Sequence, residues 1–287
     1  MNTEGNTLSS EAQSVAELLE QLIERNVIDV PILPEVANKA LLLAQNPESD
    51  ARDMANLIQG DQSLAGHVMR IANSAAYTPL SNLVSLQQAI ARLGMGVISE
   101  IALTAAIGAK FFNTPGYEDY VEGIWRHAVA TSLWSKEIAR NCRSNVEVAF
   151  LAGLLHSIGR PAVIQSILEI AKNHQFNLSD DDVHQLENRY CKRISETVIK
   201  LWKMPTLVIE AINFYDNYEQ STSTVNQAAQ VNAGLQFATH MLAPEAVSRA
   251  AVLALPALTT LNMYQDEIET LLNQTQVISA RMEGLAG

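Results

Sequence analysis

The stretch Phe150-Leu151-Ala152-Gly153-Leu154-Leu155-His156-Ser157-Ile158-Gly159-Arg160-Pro161 decides how this chain folds. Its first six residues are apolar or glycine with no polar face, the pattern of a helix buried on all sides. His156 closes the run, and Gly159 and Pro161 turn the chain at once. A histidine at the end of an apolar helix, beside a glycine turn, is well placed as a ligand. A carboxylate directly after it would complete a metal-binding pair, but Ser157 stands there.

Helical period continues outward in both directions, and alternating strand patterns and Asn-Gly or Asp-Gly hairpins are missing. The fold class is therefore all-α, a multi-helix bundle. Residues 1–8 are polar and expected to fray. Ser10 with Gln13 is expected to cap a first helix that stops at Asn26. Short helices follow from Pro34, Asp50 and Gln62, then a loop over Ser74–Val84 holding Tyr77, Pro79 and Ser81. Two more are expected over Leu86–Leu93 and Val97–Phe112. Asn113-Thr-Pro-Gly116 is the strongest internal break. It divides the chain into an N-terminal helix and tail (1–30), an N-terminal subdomain (31–114) and a helical bundle with extra C-terminal helices (115–287). In that bundle, helices are expected over Tyr117–Asn141, Asn145–Ile158 capped by Ser144, Pro161–His174, Ser179–Met204, Pro205–Tyr215, Val225–Leu242, Pro244–Leu255 and Asp266–Met282. The apolar face of Tyr264–Met282, with Ile268, Leu271, Leu272 and Ile278, suits packing inside the chain or against another, so oligomeric state stays open.

The 287 residues suffice for a full core, and 48% apolar content places the chain among globular proteins. A net charge of −12 without a basic stripe argues against nucleic acid and against an anionic membrane surface. No run reaches the ~18 apolar residues of a membrane helix. The two cysteines, Cys142 and Cys191, suit a reducing, cytoplasmic setting.

Several segments together resemble one family. They are Leu33-Pro-Glu-Val36, Leu57-Ile-Gln-Gly-Asp-Gln-Ser-Leu64, Arg70-Ile-Ala-Asn-Ser-Ala-Ala-Tyr77 and Ser85-Leu-Gln-Gln-Ala-Ile-Ala-Arg-Leu-Gly94. Further on stand Trp125-Arg-His127, Ala152-Gly-Leu-Leu-His156 and Leu201-Trp-Lys-Met-Pro205. From about Ile32 to Asp216 the chain resembles the HDOD family, a regulatory branch of the HD superfamily. The resemblance implies a helical N-terminal subdomain joined to an HD-like bundle. In catalytic HD relatives a histidine, a His-Asp pair and later His and Asp residues hold metal, which activates water against a phosphate ester.

Carried over by position, His127 stands at the first histidine and His156 at the histidine of the pair. Ser157 replaces the aspartate of the pair, and Arg160 stands where catalytic relatives often have lysine. Cys191, Tyr215 and Asp216 occupy positions where many have histidines. The closing aspartate has no counterpart, and its match lies near Gly234. This set supplies too little negative charge for a hard divalent cation, so no cofactor is expected. A zinc set of His127, His156 and Cys191 with Asp216 is the residual metal alternative. The plainer reading makes His127 and His156 hydrogen-bonded interior histidines, Arg160 a solvated helix-end cation, with an anion clamp in the pocket as its alternative, and Cys191 an apolar filler. His67, His174, His184 and His240 carry no assigned role. Asn73, Ser74 and Tyr77 form a candidate partner or ligand loop, or equally a site of close helix packing.

The expectation is a non-catalytic HDOD signalling module that binds a protein partner or a small ligand through a degenerate HD site. The alternative is a metal-dependent phosphohydrolase acting on a nucleotide or related phosphate ester. The flanking segments are too short for a receiver domain, so a signal is expected from a separate chain or a ligand.

Overall fold

The computed structural model describes residues 8–25, 27–77 and 83–286, and within them all regular structure is helical. The helix stop expected at Asn26, the fraying expected over residues 1–7, and Pro79 and Ser81 of the expected loop lie outside the described residues.

Helix α1 (Ser10–Glu24) is capped by Ser9 rather than Ser10: the Ser9 hydroxyl accepts from the Ala12 amide. The shift has a tertiary cause. Asp182 accepts from the Ser9 amide at 3.0 Å and from its hydroxyl at 3.1 Å. The same carboxylate forms a capping box with Ser179 at the start of α10 (Asp180–Leu201), so one side chain fastens two helix beginnings. Helices α2 (Glu35–Gln45), α3 (Ala51–Gln59), α4 (Gln62–Ala72), α5 (Leu86–Leu93) and α6 (Met95–Ala106) follow. Asp50, Asp61 and Ser85 cap α3, α4 and α5. Gly94, at φ +84°, turns α5 directly into α6, which therefore starts at Met95 rather than Val97 and ends before a single 3-10 turn at Ala109–Phe111.

Next come α7 (Glu118–Asn141), α8 (Val146–Leu155), α9 (Gly159–His174), α10, α11 (Thr206–Phe214) and α12 (Val225–Leu242). Asn145, not Ser144, caps α8. Residues 180–201 form one unbroken helix. The C-terminal segments divide more finely than their periodicity suggests, into α13 (Arg249–Leu253), α14 (Pro256–Thr260), α15 (Gln265–Leu272) and α16 (Thr275–Ala286). The expected stretch Pro244–Leu255 holds only α13, and Pro256, which suits a helix's first turn, starts α14 just beyond it.

Helix α7 is the axis of the bundle, flanked by α8 and α12, with Trp134 fully buried against Phe237 at 5.1 Å. Helix α9 lies along α10, and α1 packs on both. Helices α2 to α6 pack among themselves, and α16 lies over α6 and α7 with Ile278, Met282 and Leu285 buried. Glu100 of α6 and Lys136 of α7, both buried, meet with Nζ 2.6 and 2.7 Å from the carboxylate oxygens. Burial pushes the Glu100 carboxyl up, and the Lys136 ammonium opposes it.

Two glycines set the spacing at the site. A Cβ on Gly159 would fall 2.0 Å from the Cys191 carbonyl oxygen, so α9 begins in direct backbone contact with α10. A Cβ on Gly234 would fall 2.2 Å from Ser135 Oγ and 2.8 Å from Ser135 N, so α12 crosses α7 at similar closeness. The stretch Val146–His174 is long and apolar enough to resemble a membrane span by composition, but its most apolar window is 83% buried inside the bundle.

Candidate functional site

Helices α7, α8, α9, α10 and α11 converge on a cavity of about 340 Å³. It is lined by His127, His156, Ser157, Arg160, Cys191, Tyr215 and Asp216, all seven residues aligned with HD positions. It is also lined by Asn188, Lys192, Ser195 and Asn213, and by the aliphatic Ile124, Ile212 and Leu235.

Each histidine has one ring nitrogen hydrogen-bonded within the fold. His127 Nε2 lies 2.9 Å from Thr239 Oγ1 on α12. The Thr239 hydroxyl donates to the Leu235 carbonyl at 2.9 Å, so its oxygen is the acceptor and His127 Nε2 carries the proton. His127 Nδ1 lies 3.4 Å from Thr131 Oγ1. His156 ends α8 and donates from Nδ1 to the Gly153 carbonyl at 2.7 Å, which leaves the lone pair on Nε2. The two rings are 6.3 Å apart and tilted by 56°, and the Tyr215 ring meets His156 edge-on at 5.3 Å.

Burial drives the His156 pKa down to about 4, with smaller effects from His127 and Arg160 against a raising contact to Gly153. Burial also lowers His127. Because the folded pKa lies below the ordinary 6.5, the unfolded chain takes the proton first. The contribution of His156 to stability is therefore complete above that value and is lost as pH falls from 6.5 toward 4. From this residue alone, stability should drop by about 2 kcal/mol on going to about pH 5. Urea unfolding midpoints of the wild type and His156→Gln, compared at neutral and mildly acidic pH, check this. The variant should lose markedly less, and an equal loss would place the neutral form elsewhere.

Arg160, expected as a solvated cation, is partly buried and clamped. Its Nε donates to Glu187 Oε1 at 2.6 Å and its Nη2 to the Tyr120 hydroxyl at 2.6 Å. Tyr120 in turn donates to Glu187 Oε2 at 2.9 Å. Burial, with this hydrogen bond, pushes the Tyr120 phenol up to about 12. Glu187 has no exposed surface. His184, given no role from sequence, lies on Glu187 with Nδ1 3.3 Å from Oε2. Glu187 was legible in principle: it falls on the α10 stripe of Val183, Leu186 and Tyr190, and a carboxylate on an apolar stripe calls for a buried cation. Thr239 carried no such signal.

Burial pushes the Cys191 thiol up, and Sγ donates to the Asn188 carbonyl at 3.6 Å, so it is a protonated thiol rather than a thiolate. Asp216 is held by Lys192, whose Nζ lies 2.9 Å from both carboxylate oxygens. Among the described residues, no three His, Cys, Asp or Glu side chains converge as a metal-holding group. A metal of the HD type does not fit this donor set: one histidine has given its Nε2 to a threonine, the thiol is protonated, and the nearest carboxylates are tied to cations. Gly234, near which the closing carboxylate falls, has no room for a side chain.

The candidate partner loop is placed differently. The Asn73 side chain grips Leu83 from both sides, accepting from its amide at 2.6 Å and donating to its carbonyl at 2.9 Å. Tyr77 lies under α16, with the Arg281 guanidinium 5.7 Å from its ring centre, and burial raises its phenol. The Ser74 hydroxyl is buried with no partner among the described residues. This segment packs against α16 and is not part of the cavity.

A family model described as the HDOD domain matches residues 30–218. A structure from Shewanella amazonensis, of a protein whose name proposes a metal-dependent phosphohydrolase, superposes with a TM-score of 0.71 at 19% identity over 96% of this chain and 100% of that one. One from Marinobacter aquaeolei, whose name proposes a signal transduction protein, gives 0.69 at 22% over 100% of this chain and 69% of that one. An HDOD domain protein of unknown function from Geobacter sulfurreducens gives 0.69 at 19%, covering 96% and 98%. At these identities the likeness is one of fold. An uncharacterized protein of Treponema pallidum is 22% identical over 79% of this chain, which spans only 46% of that relative's length.

Proposed function

The chain belongs to the HDOD domain family, and on that premise we propose that it is a non-catalytic regulatory module whose HD-type cavity binds a small ligand or supports binding of a protein partner. One observation carries this reading: His127 and His156 are neutral and hydrogen-bonded within the fold, with no free carboxylate beside them among the described residues. A phosphohydrolase needs a cation held at that point to activate water and to neutralise charge on the phosphate. The aspartate that would hold it is Ser157, and the histidine that would share it is committed to Thr239. The free thiols of Cys142 and Cys191 agree with a reducing compartment.

The competing reading, a phosphohydrolase of the HD type, makes a direct claim about turnover. Purified protein loaded with magnesium, manganese or zinc should hydrolyse p-nitrophenyl phosphate and bis(p-nitrophenyl) phosphate no faster than the metal alone. Turnover above that level, lost in His156→Ala, would overturn the proposal.

A further inference from the structure

The charged groups in and around the cavity wall already have counter-ions. Arg160 gives its Nε to Glu187 and its Nη2 to Tyr120, and Lys192 holds both oxygens of Asp216. The two cations and two carboxylates sum to zero. The Arg160 charge is already balanced by Glu187, which has no exposed surface, so a phosphate reaching its remaining N–H groups would meet a neutral pair and gain little. Lys192 is different: its pair with Asp216 is exposed, so it could turn toward an anion at the rim, for little gain.

What the cavity offers besides these pairs is uncharged. Asn188 and Asn213 each carry an amide that both donates and accepts. His156 presents a lone-pair nitrogen, and its ring and that of Tyr215 give aromatic surface of the kind on which bases stack. The volume, about 340 Å³, lies at the small end of sites for organic ligands, about 300–1,000 Å³. Resting on the non-catalytic reading above, we propose that this cavity binds an uncharged planar heterocycle with a donor–acceptor edge, of nucleoside size, and that it gains little from a phosphate.

The test is calorimetric titration of the full chain with adenosine, guanosine, cytidine and uridine, each beside its 5′-monophosphate. At least one nucleoside should bind, and its monophosphate should bind no more than about fivefold tighter, the most that an exposed Lys192 can add. Asn213→Ala and Tyr215→Ala should each weaken binding by about tenfold. Asn188→Ala, at an exposed position, keeps the test decisive if either of those fails to fold. No nucleoside binding at millimolar concentration, a monophosphate gain above about fivefold, or binding indifferent to the folded variants would overturn the proposal. Metal-dependent phosphoester turnover would sink the regulatory reading itself. Silence in both assays would sink only the ligand class.

Discussion

Replacing Lys136 by methionine should cost about 3–5 kcal/mol and lower the melting temperature by on the order of 10 °C. The reason lies in what is left behind. Lys136 is 8% exposed and Glu100 7%, and each is the other's counter-ion across the α6–α7 contact. Methionine keeps an apolar stem but removes the ammonium, which also lies 5.6 Å from the centre of the Phe150 ring. Glu100 must then stay ionised without a partner or take up a proton, and its carboxyl is already pushed up by burial. Adding Glu100→Leu to Lys136→Met should recover most of the loss, because two matched apolar residues need no desolvation of charge. Thermal unfolding of the two single variants and the double variant gives the coupling. A double variant as unstable as either single one would show that the pair is not what joins α6 to α7.

Introducing aspartate at Gly234 should be as damaging, at about 4 kcal/mol or more. The Cβ alone would fall 2.8 Å from the Ser135 backbone nitrogen and 3.0 Å from the Thr131 carbonyl, so α12 and α7 must part. The carboxylate would then be forced into that buried contact, against the Ser135 and Thr131 backbone. This links stability to function: position 234, near the missing closing ligand, is now a helix crossing. Gly123 on the exposed side of α7 is the control, since a Cβ there meets nothing within 4 Å, and Gly123→Ala should stabilise by about 1 kcal/mol. A Gly234→Asp protein with wild-type stability would mean that the crossing can open and that a carboxylate can still be placed there.

The all-α architecture was readable because helical period runs the length of the chain and Phe150–Leu155 has no polar side. The boundaries that moved did so for tertiary reasons. Ser9 displaced Ser10 as a cap because Asp182, remote in sequence, bonds Ser9. The gathering of His127, His156, Cys191, Tyr215 and Asp216 around one space was implied by family position, and periodicity within any one helix could not have supplied it. What each of them does there depends on partners that position does not name. Thr239 takes His127 Nε2 from a different helix. Glu187 and Tyr120 turn Arg160 from a solvated cation into the centre of a buried cluster, from helices far apart in sequence. The Arg160–Glu187 pairing lies across the α9–α10 contact at Gly159, and a glycine read alone does not say which helix it admits.

The most direct test of the central claim is the metal content of the purified protein after exposure to excess manganese, iron or zinc and removal of free ions. The hydrogen bonds of His127 and His156 predict substoichiometric metal, unchanged in His156→Ala. One tightly held equivalent per chain, lost in His156→Ala, would contradict it.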